Sequence, residues 1–209
     1  PKDATSHNGT VLTWLTGPAV SILASYGLAD SAWILTHALQ RFAMASGAVG
    51  SIPEHTDALP MPDVAWPQWS GAFAQACSAA EYLRNMFEDY LGFRPACDEE
   101  GPFLTLSPHL PTTLTFAEGS TRIGSTRLHI RYDLIRDAEE TGTLSCTVTM
   151  LEGADALRVR PSKENSSGMR YDAFLLRPGE THRFHILNAH SFPGEAFRER
   201  FHFAAPVPL

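Results

Sequence analysis

The spacing of apolar residues changes once along this chain of 209 residues, and that change restricts the fold more than any other feature. From Thr10 to about Gly92 the apolar residues recur every three or four positions, with Gly and Pro between the periodic stretches. Such spacing is typical of amphipathic helices separated by turns. After Pro95 apolar and polar residues alternate, as in Leu128–Tyr132, which is typical of strands with one buried face. The sequence therefore predicts helices followed by strands.

Three helices are expected in the first part of the chain. The first would span Thr10–Tyr26 and end at Gly27, a natural C-terminal stop. The second would begin after Asp30 as N-cap and close at Gly47. The third would span Trp69–Tyr90, and its many small residues would let neighbouring helices approach closely. The residues expected to face inward are Leu12, Leu15, Ala19, Ile22, Leu23 and Tyr26 in the first helix and Trp33, Ile34, His37, Ala38 and Phe42 in the second.

The alternating part predicts an antiparallel β-sandwich, which makes the chain an α+β protein. The helical domain would span residues 1–95 and the sandwich 103–209, with Arg94–Pro102 as an exposed linker between them. The turn at Arg177–Glu180 would join two strands as a hairpin. Besides the strand around Leu128–Tyr132, strands are expected at Phe103–Leu106, Thr143–Leu151, Leu157–Arg160, Ala173–Leu176, His182–Leu187 and Arg200–Ala204.

Composition argues against several classes of partner. A net charge of −7 without a Lys or Arg cluster argues against nucleic acid, because such binders use basic patches to contact phosphates. The longest apolar stretches, such as Val11–Leu28, are interrupted by polar residues, Gly and Pro, so no membrane span is expected. Cys77, Cys97 and Cys146 are too scattered for a disulfide framework and are expected to be free thiols in the cytoplasm. Because position 1 is not Met, the chain is expected to begin within a longer protein or after processing.

No metal and no cofactor are expected. His182, His185 and His190 lie close together in sequence, but side chains 182 and 185 of an extended strand point to opposite faces. No Cys or carboxylate joins them at the spacing of zinc ligands. Neither common type of Gly-rich phosphate loop occurs.

A long loop, Gly50–Pro67, separates the second and third helices and contains too many prolines to be regular. Loops of this length in compact domains are usually functional or disordered. The chemically active and aromatic residues of this loop are Glu54, His55, Asp57, Asp63 and Trp66.

Glu54 is the candidate catalytic carboxylate of this loop. It follows Pro53, whose ring stiffens the backbone that carries the side chain. Hydrolysis of an acetal needs two carboxyl groups on opposite sides of the sugar ring, one that protonates the leaving oxygen and one that activates water. Glu54 could supply one of them. A solvated loop glutamate without a function is the alternative interpretation.

Aromatic and polar residues near the loop are candidates for sugar binding. Trp66 and Trp69 could stack on the apolar face of a pyranose ring, although Trp more often packs in a core with its N–H bonded. The segment Ser6–Leu15 puts polar side chains before a helix, where backbone N–H groups can meet a polar ligand. Alternatively, Asn8 or Thr10 only caps that helix.

Three segments resemble motifs in the glucosidase region of glycogen debranching enzymes, in the same order and with similar spacing. They are His7–Pro18 (HNGTVLTWLTGP), Gly50–Ala58 (GSIPEHTDA) and Gly71–Arg84 (GAFAQACSAAEYLR). In addition, Leu104–Pro111 is similar to the beginning of the β-rich segment that follows the helices in bacterial relatives. The likeness extends over residues 5 to about 92.

The resemblance implies that the helices are the last part of an (α/α)6 toroid, followed by the β-sandwich. It implies that Glu54 is the general base of an inverting glycosidase acting on α-glucans or α-glucosides, of the amylo-α-1,6-glucosidase type. The family's catalytic acid lies upstream, so this chain alone would be inactive. Residues that would line or support the glucose subsite are His7, Asn8, Trp14, Trp69 and Gln75, with Trp66 as a further substrate-binding candidate.

Two other interpretations stay open. The chain could be a carbohydrate-binding or assembly module without hydrolytic activity, which exposed coplanar aromatic residues on a sheet face would favour. A cleft centred on Glu54 would favour hydrolysis instead. A purely structural protein with chance motif matches is the third possibility. If the chain is part of a toroid, the apolar faces of its three helices would associate with the missing toroid portion or with a second copy of the chain.

Overall fold

Helices occupy the first part of the chain and strands most of the rest in a computed structural model, which describes residues 9–45, 48–58, 68–136, 142–162 and 171–187. The chain is therefore an α+β protein, as predicted. The helices are α1 (Thr16–Ser25), α2 (Ala29–Ala45) and α3 (Ala76–Arg84), with a 3-10 turn (Thr13–Leu15) before α1 and a π-helical segment (Asn85–Tyr90) after α3. The strands are β1 (Thr10–Leu12), β2 (His55–Asp57), β3 (Trp69–Ser70), β4 (Phe93–Asp98), β5 (Gly101–Leu106), β6 (Phe116–Ile123), β7 (Thr126–Arg136), β8 (Gly142–Glu152), β9 (Leu157–Pro161), β10 (Phe174–Leu176) and β11 (Thr181–Leu187).

Both the first and the third helix begin later than predicted. Thr10–Leu12 is strand β1, which pairs antiparallel with β2, and β2 pairs in turn with β3. The β-branched Thr10 and Val11 suit this extended conformation. Because the partner strands lie more than forty residues away along the chain, local periodicity does not reveal the pairing. Trp69 is likewise in a strand, and α3 begins only at Ala76.

The inward faces of α1 and α2 differ from those predicted. Leu15, Ile22, Tyr26 and Ile34 are exposed large apolar side chains, and His37 and Ala38 are exposed as well. Both helices carry apolar residues on more than one side, so spacing alone does not select the side that packs inside this chain. The buried residues are mostly small, which brings the helix backbones close together: Gly17, Val20 and Ala24 in α1, and Ala29, Ala32, Thr36, Phe42 and Ala43 in α2.

Asp30 connects α2 to the sheet region instead of capping its own helix. Helix α2 begins at Ala29, so Asp30 lies in its first turn. Its carboxylate accepts hydrogen bonds from the backbone N–H of Thr112 (2.7 Å) and from the Thr112 hydroxyl (2.9 and 3.0 Å). The predicted N-cap is therefore a tertiary contact that fixes the start of the helix on the loop between β5 and β6.

Two sheets form a β-sandwich, as the alternation of residues predicts. Within the described residues, each has four strands, in the orders β10-β9-β5-β4 and β11-β8-β7-β6. Leu104 and Val159 from one sheet and Ile130 and Val148 from the other belong to one buried apolar cluster. The sandwich is not purely antiparallel, because β5 and β9 pair in parallel. The predicted strand at Arg200–Ala204 lies outside the described residues.

The turn at Arg177–Glu180 does not make a hairpin. It follows β10, which pairs with β9, and precedes β11, which pairs with β8 in the other sheet. The N–H of Gly179 donates to the Met150 carbonyl (2.9 Å), and the N–H of Met150 donates to the Glu180 carbonyl (3.0 Å). The turn thus carries the chain from one sheet to the other, a connection that turn chemistry cannot distinguish from a hairpin.

The predicted linker is a β-hairpin. Residues 94–100 are exposed, but Phe93–Asp98 is strand β4 and pairs along its length with β5. Gly92, with φ of +70°, packs so closely on Ser107 that a side chain there would overlap its backbone. Val20, Ala32 and Tyr90 share the apolar cluster of the sandwich, so helices and sheets have one continuous core.

A buried carboxylate, Asp89, holds the junction between helices and sheet. Its side chain is 1% exposed and lies in the π-helical segment. Oδ2 accepts hydrogen bonds from the Ser21 hydroxyl (2.7 Å) and the Asn85 amide (2.7 Å). The guanidinium groups of Arg84 and Arg94 lie 3.5 and 3.3 Å from its two oxygens. One carboxylate therefore contacts α1, α3, the π-helical segment and β4.

Within the described ranges, no helix has both the length and the apolar composition needed to cross a membrane.

Candidate active site

The backbone of Glu54 forms hydrogen bonds through both its N–H and its carbonyl. Its N–H donates to the carbonyl of Ala72 (2.8 Å), and its carbonyl accepts from the N–H of Thr13 (3.1 Å). The N–H of Gln75 donates to the carbonyl of Ile52 (2.9 Å), two residues before Glu54. The predicted functional loop is therefore fixed near Glu54 to the 3-10 turn and to the segment that leads into α3.

The Glu54 carboxylate is held by the backbone yet reaches the surface. Oε2 accepts a hydrogen bond from the N–H of Ala72 (3.0 Å), and Oε1 lies 3.8 Å from Nε2 of His55. The two side chains are 34% and 16% exposed, respectively. One oxygen of this carboxylate is therefore bonded to an amide, while part of the side chain is open to water.

Gly71 leaves the space in which this carboxylate lies. Its φ is +72°, and a Cβ there would be 2.5 Å from Oε2 of Glu54 and 2.9 Å from Nδ1 of His55. Real Cβ atoms do not approach other atoms so closely, so the carboxylate or the imidazole would have to move. Glycine at this position therefore serves both the backbone conformation and the position of Glu54.

We expect Gly71→Ala to displace the Glu54 carboxylate and weaken its bond to Ala72. Amide exchange of Ala72, followed by NMR, should become about tenfold faster or more, as expected when a local opening becomes easier. Gly50→Ala is the matched control, because Gly50 also has positive φ (+85°) but has open space around a Cβ. Equal exchange of Ala72 in the two variants would show that the contact with Gly71 does not hold the carboxylate.

Two buried hydroxyl groups lie beneath the loop. Thr13 and Ser78 are 2% and 1% exposed, and their oxygens are 2.7 Å apart. The Thr13 hydroxyl donates to the carbonyl of Pro53, directly before Glu54. Ser78 in turn lies 2.6 Å from the side-chain oxygen of Gln75. Sequence reasoning missed both hydroxyls, because Thr13 and Ser78 are 65 residues apart and neither follows a catalytic spacing.

The predicted sugar-binding residues have different locations. Trp14 is half-buried in the 3-10 turn, next to Thr13. Trp69 is exposed in β3, where it pairs with Thr56. Gln75 is the N-cap residue of α3, half-buried and bonded to Ser78. The fold thus brings the segments carrying Trp69 and Gln75 together at Glu54. His7, Asn8 and Trp66 lie outside the described residues.

One face of the small sheet β1-β2-β3 carries a row of side chains beside the loop. Val11 pairs with Thr56, and Thr56 pairs with Trp69, so the three side chains share a face. Val11 and Trp69 are both exposed. An exposed indole in such a row is the kind of surface on which the apolar face of a sugar packs.

Of the other candidate residues of the sequence, Asp63 and His190 lie outside the described residues. Among the described residues there is no group of three or more His, Cys, Asp or Glu side chains that could hold a metal ion. The ring of His182 stacks on that of Phe174 at a centroid distance of 4.0 Å. Cys77 and Cys97 are exposed thiols, whereas Cys146 is buried.

A shallow pocket lies on the sandwich, away from Glu54. Its lining comes from the end of β4 and the turn after it, from β9 and from the beginning of β10: Asp98, Glu99, Glu100, Arg158, Arg160, Ala173, Phe174 and Leu175. Arg158 forms ion pairs with Asp98 and Glu100, and Arg158 and Arg160 both lie over the ring of Phe103 (5.1 and 4.4 Å to the centroid). Both arginines of the pocket therefore already have carboxylate partners, since Arg160 also lies 3.5 Å from Asp98.

Comparison of the chain with protein-family models, with curated proteins and with solved structures found no match. The resemblance to debranching enzymes remains a prediction from the three motifs.

Proposed function

We propose that this chain supplies the general base, Glu54, of an inverting glycoside hydrolase that acts on α-glucans or α-glucosides. The observation that carries the proposal is the Glu54 carboxylate, which is fixed by the N–H of Ala72 and remains 34% exposed. An exposed Trp69 on a strand paired to the β2 strand that follows Glu54 supports a sugar as the substrate. The proposed type of activity is that of an amylo-α-1,6-glucosidase.

In this mechanism, Glu54 accepts a proton from a water molecule as the water oxygen attacks the anomeric carbon. A second carboxyl group, about 6.5–9.5 Å away in inverting enzymes, donates a proton to the leaving glycosidic oxygen. The C–O bond to the leaving group breaks, and the new hydroxyl lies on the opposite face of the sugar. We propose that the second carboxyl group lies outside this chain, so that the chain alone is inactive.

We also propose that α1, α2 and α3 are the last helices of an (α/α)6 toroid. The exposed apolar residues Leu15, Ile22, Tyr26 and Ile34 would then be covered by the rest of the toroid or by a second copy of the chain. Sedimentation velocity of the isolated chain should show concentration-dependent association if these faces seek a partner. A monomer at all accessible concentrations would argue against this proposal.

The exposed free thiols of Cys77 and Cys97 fit a cytoplasmic location.

The test is glucose release from branched α-glucan and from short α-glucosides by the longest natural chain that contains residues 1–209. Proton NMR during the first minutes should show β-glucose appearing before mutarotation, because inversion of an α-linkage gives the β-anomer. Release of α-glucose would contradict the inverting mechanism, and no release from any α-glucoside would contradict the proposed activity.

A second candidate function is carbohydrate binding without hydrolysis, favoured by the pocket on the sandwich. Its acidic and arginine side chains, such as Asp98 and Arg160, could hydrogen-bond sugar hydroxyls. The aromatic rings of the sandwich give less support, since Phe103 is buried and Phe116 lies beneath the guanidinium of Arg131. Binding of α-glucan without release of glucose in the same assay would favour this second function.

A further inference from the structure

The two buried hydroxyls beneath the Glu54 loop have a role that no sequence motif assigns. We propose that Thr13, Ser78 and Gln75 are positioning residues that orient the Glu54 carboxylate through a chain of hydrogen bonds. This proposal rests on the proposed function of Glu54 as a base. It also reassigns Gln75, which the family resemblance places at the glucose subsite, to the support of the base.

Thr13 fixes the backbone immediately before and at Glu54. Its N–H donates to the Glu54 carbonyl at 3.1 Å. Its hydroxyl donates to the Pro53 carbonyl and also lies 3.3 Å from the carbonyl oxygen of Glu54. The peptide between Pro53 and Glu54 is held at both ends, because its carbonyl accepts from the Thr13 hydroxyl and its N–H donates to the Ala72 carbonyl at 2.8 Å. Thr13 therefore contacts the carbonyls of the two peptides that flank the Cα atom of Glu54.

The other end of the hydrogen-bond chain lies at the start of α3. Ser78 is in the first turn of this helix, and Gln75 is its N-cap residue. The N–H of Gln75 also donates to the Ile52 carbonyl at 2.9 Å. The beginning of α3 therefore contacts the loop twice, through the backbone N–H of Gln75 and through the hydroxyl of Ser78 with Thr13.

The hydrogen-bond chain ends at the side chain of Gln75. Its members are the Pro53 carbonyl, the Thr13 hydroxyl, the Ser78 hydroxyl and the Gln75 amide, and the two hydroxyl oxygens are 2.7 Å apart. Ser78 donates to the side-chain oxygen of Gln75 at 2.6 Å, a distance typical of an O–H···O bond, and Thr13 donates to the Pro53 carbonyl. Gln75 is therefore the acceptor at the end of the chain, a role that a methionine of similar size cannot take.

Neither hydroxyl can act on a substrate directly. Both Thr13 and Ser78 are almost completely buried, and each already has more than one polar neighbour. Their effect on a reaction must therefore pass through the loop to Glu54. A positioning role predicts changes in turnover rather than in substrate affinity.

The first test uses the 209-residue chain and does not depend on activity. Thr13→Val removes the hydroxyl while keeping the size of the side chain, and Thr13→Ser keeps the hydroxyl. We expect the Ala72 amide resonance to shift and its hydrogen exchange to accelerate about tenfold or more in Thr13→Val and in Gln75→Met, which removes the acceptor of the Ser78 hydroxyl. Thr13→Ser should restore the wild-type behaviour. An unchanged Ala72 amide in a folded Thr13→Val variant would overturn the proposal.

The second test measures turnover in the longest natural chain that contains these residues. We expect kcat to fall about 10- to 100-fold in Thr13→Val with little change in KM, because a catalytic group displaced by up to about 1 Å loses rate on this scale. Thr13→Ser should recover most of this loss. If Glu54→Gln inactivates the enzyme but Thr13→Val keeps near-normal kcat, Thr13 does not position the carboxylate. The assignment of Glu54 as the general base would then still stand. Absence of activity in the wild type would instead refute the proposed function, and the NMR test would still decide the role of Thr13.

Discussion

Replacing Glu54 by Gln should reduce the rate of glucose release by about 10²- to 10⁴-fold, the usual contribution of a general base. The variant keeps the size of the side chain and a carbonyl oxygen that can accept from the N–H of Ala72, which is 3.0 Å from Oε2 in the wild type. What it loses is the ability to take a proton from the attacking water. The measurement is kcat for glucose release in the longest natural chain containing these residues.

The control for this variant is Glu118→Gln. Glu118 lies on β6 and is 44% exposed, where it pairs with Arg131 on the neighbouring strand. Exposed ion pairs contribute about 1 kcal/mol or less, so fold and turnover should hardly change. If Glu54→Gln retained near-normal kcat, the assignment of the base would be wrong. An inactive Glu118→Gln would show that the loss in Glu54→Gln reflects general damage to the protein.

The candidate site illustrates what a sequence can and cannot indicate. The Pro-rich loop and the motif around Glu54 pick out the carboxylate, and the motif that contains Gln75 lies against that loop in the structure. The groups that hold Glu54 in place, the Ala72 amide and the Thr13 hydroxyl, belong to segments distant in sequence. A backbone amide carries no residue-type signal, and a threonine beside a predicted helix is indistinguishable from a cap.

The fold was predictable where burial imposes a strict period. Strands β7 and β8 follow the alternation of apolar residues, and Ile130 and Val148 are completely buried, as that pattern requires. Prediction failed for β1, whose partner is distant, and for β4, whose residues 94–98 are all exposed and therefore lack alternation. It also failed for the inward face of α1, because large apolar residues such as Ile22 lie on its outer side.

The junction between helices and sheet depends on Asp89, and Asp89→Ala should destabilise the chain by about 2–4 kcal/mol. The substitution removes the acceptor of hydrogen bonds from Ser21 and Asn85, both at 2.7 Å, in a site that is 1% exposed. It also removes the nearest counter-charge of Arg94. A hydrogen bond to Glu81 raises the pKa of Arg84, and this carboxylate remains a partner of the arginine after Asp89 is lost. The effect should stay below the largest values for buried pairs because both arginines reach water.

Glu88→Ala is the matched control for Asp89, since it removes the neighbouring carboxylate in the same π-helical segment. Glu88 is 46% exposed and lies 3.6 Å from the same arginine, Arg84, so its loss should cost about 1 kcal/mol or less. Urea unfolding followed by circular dichroism gives the free energy of unfolding for both variants. A difference of less than about 1 kcal/mol between them would mean that burial adds little to the value of this carboxylate. A larger loss in Asp89→Ala would show that Asp89 stabilises the junction between the helices and the sandwich. Its partners lie on α1, the end of α3, the π-helical segment and β4.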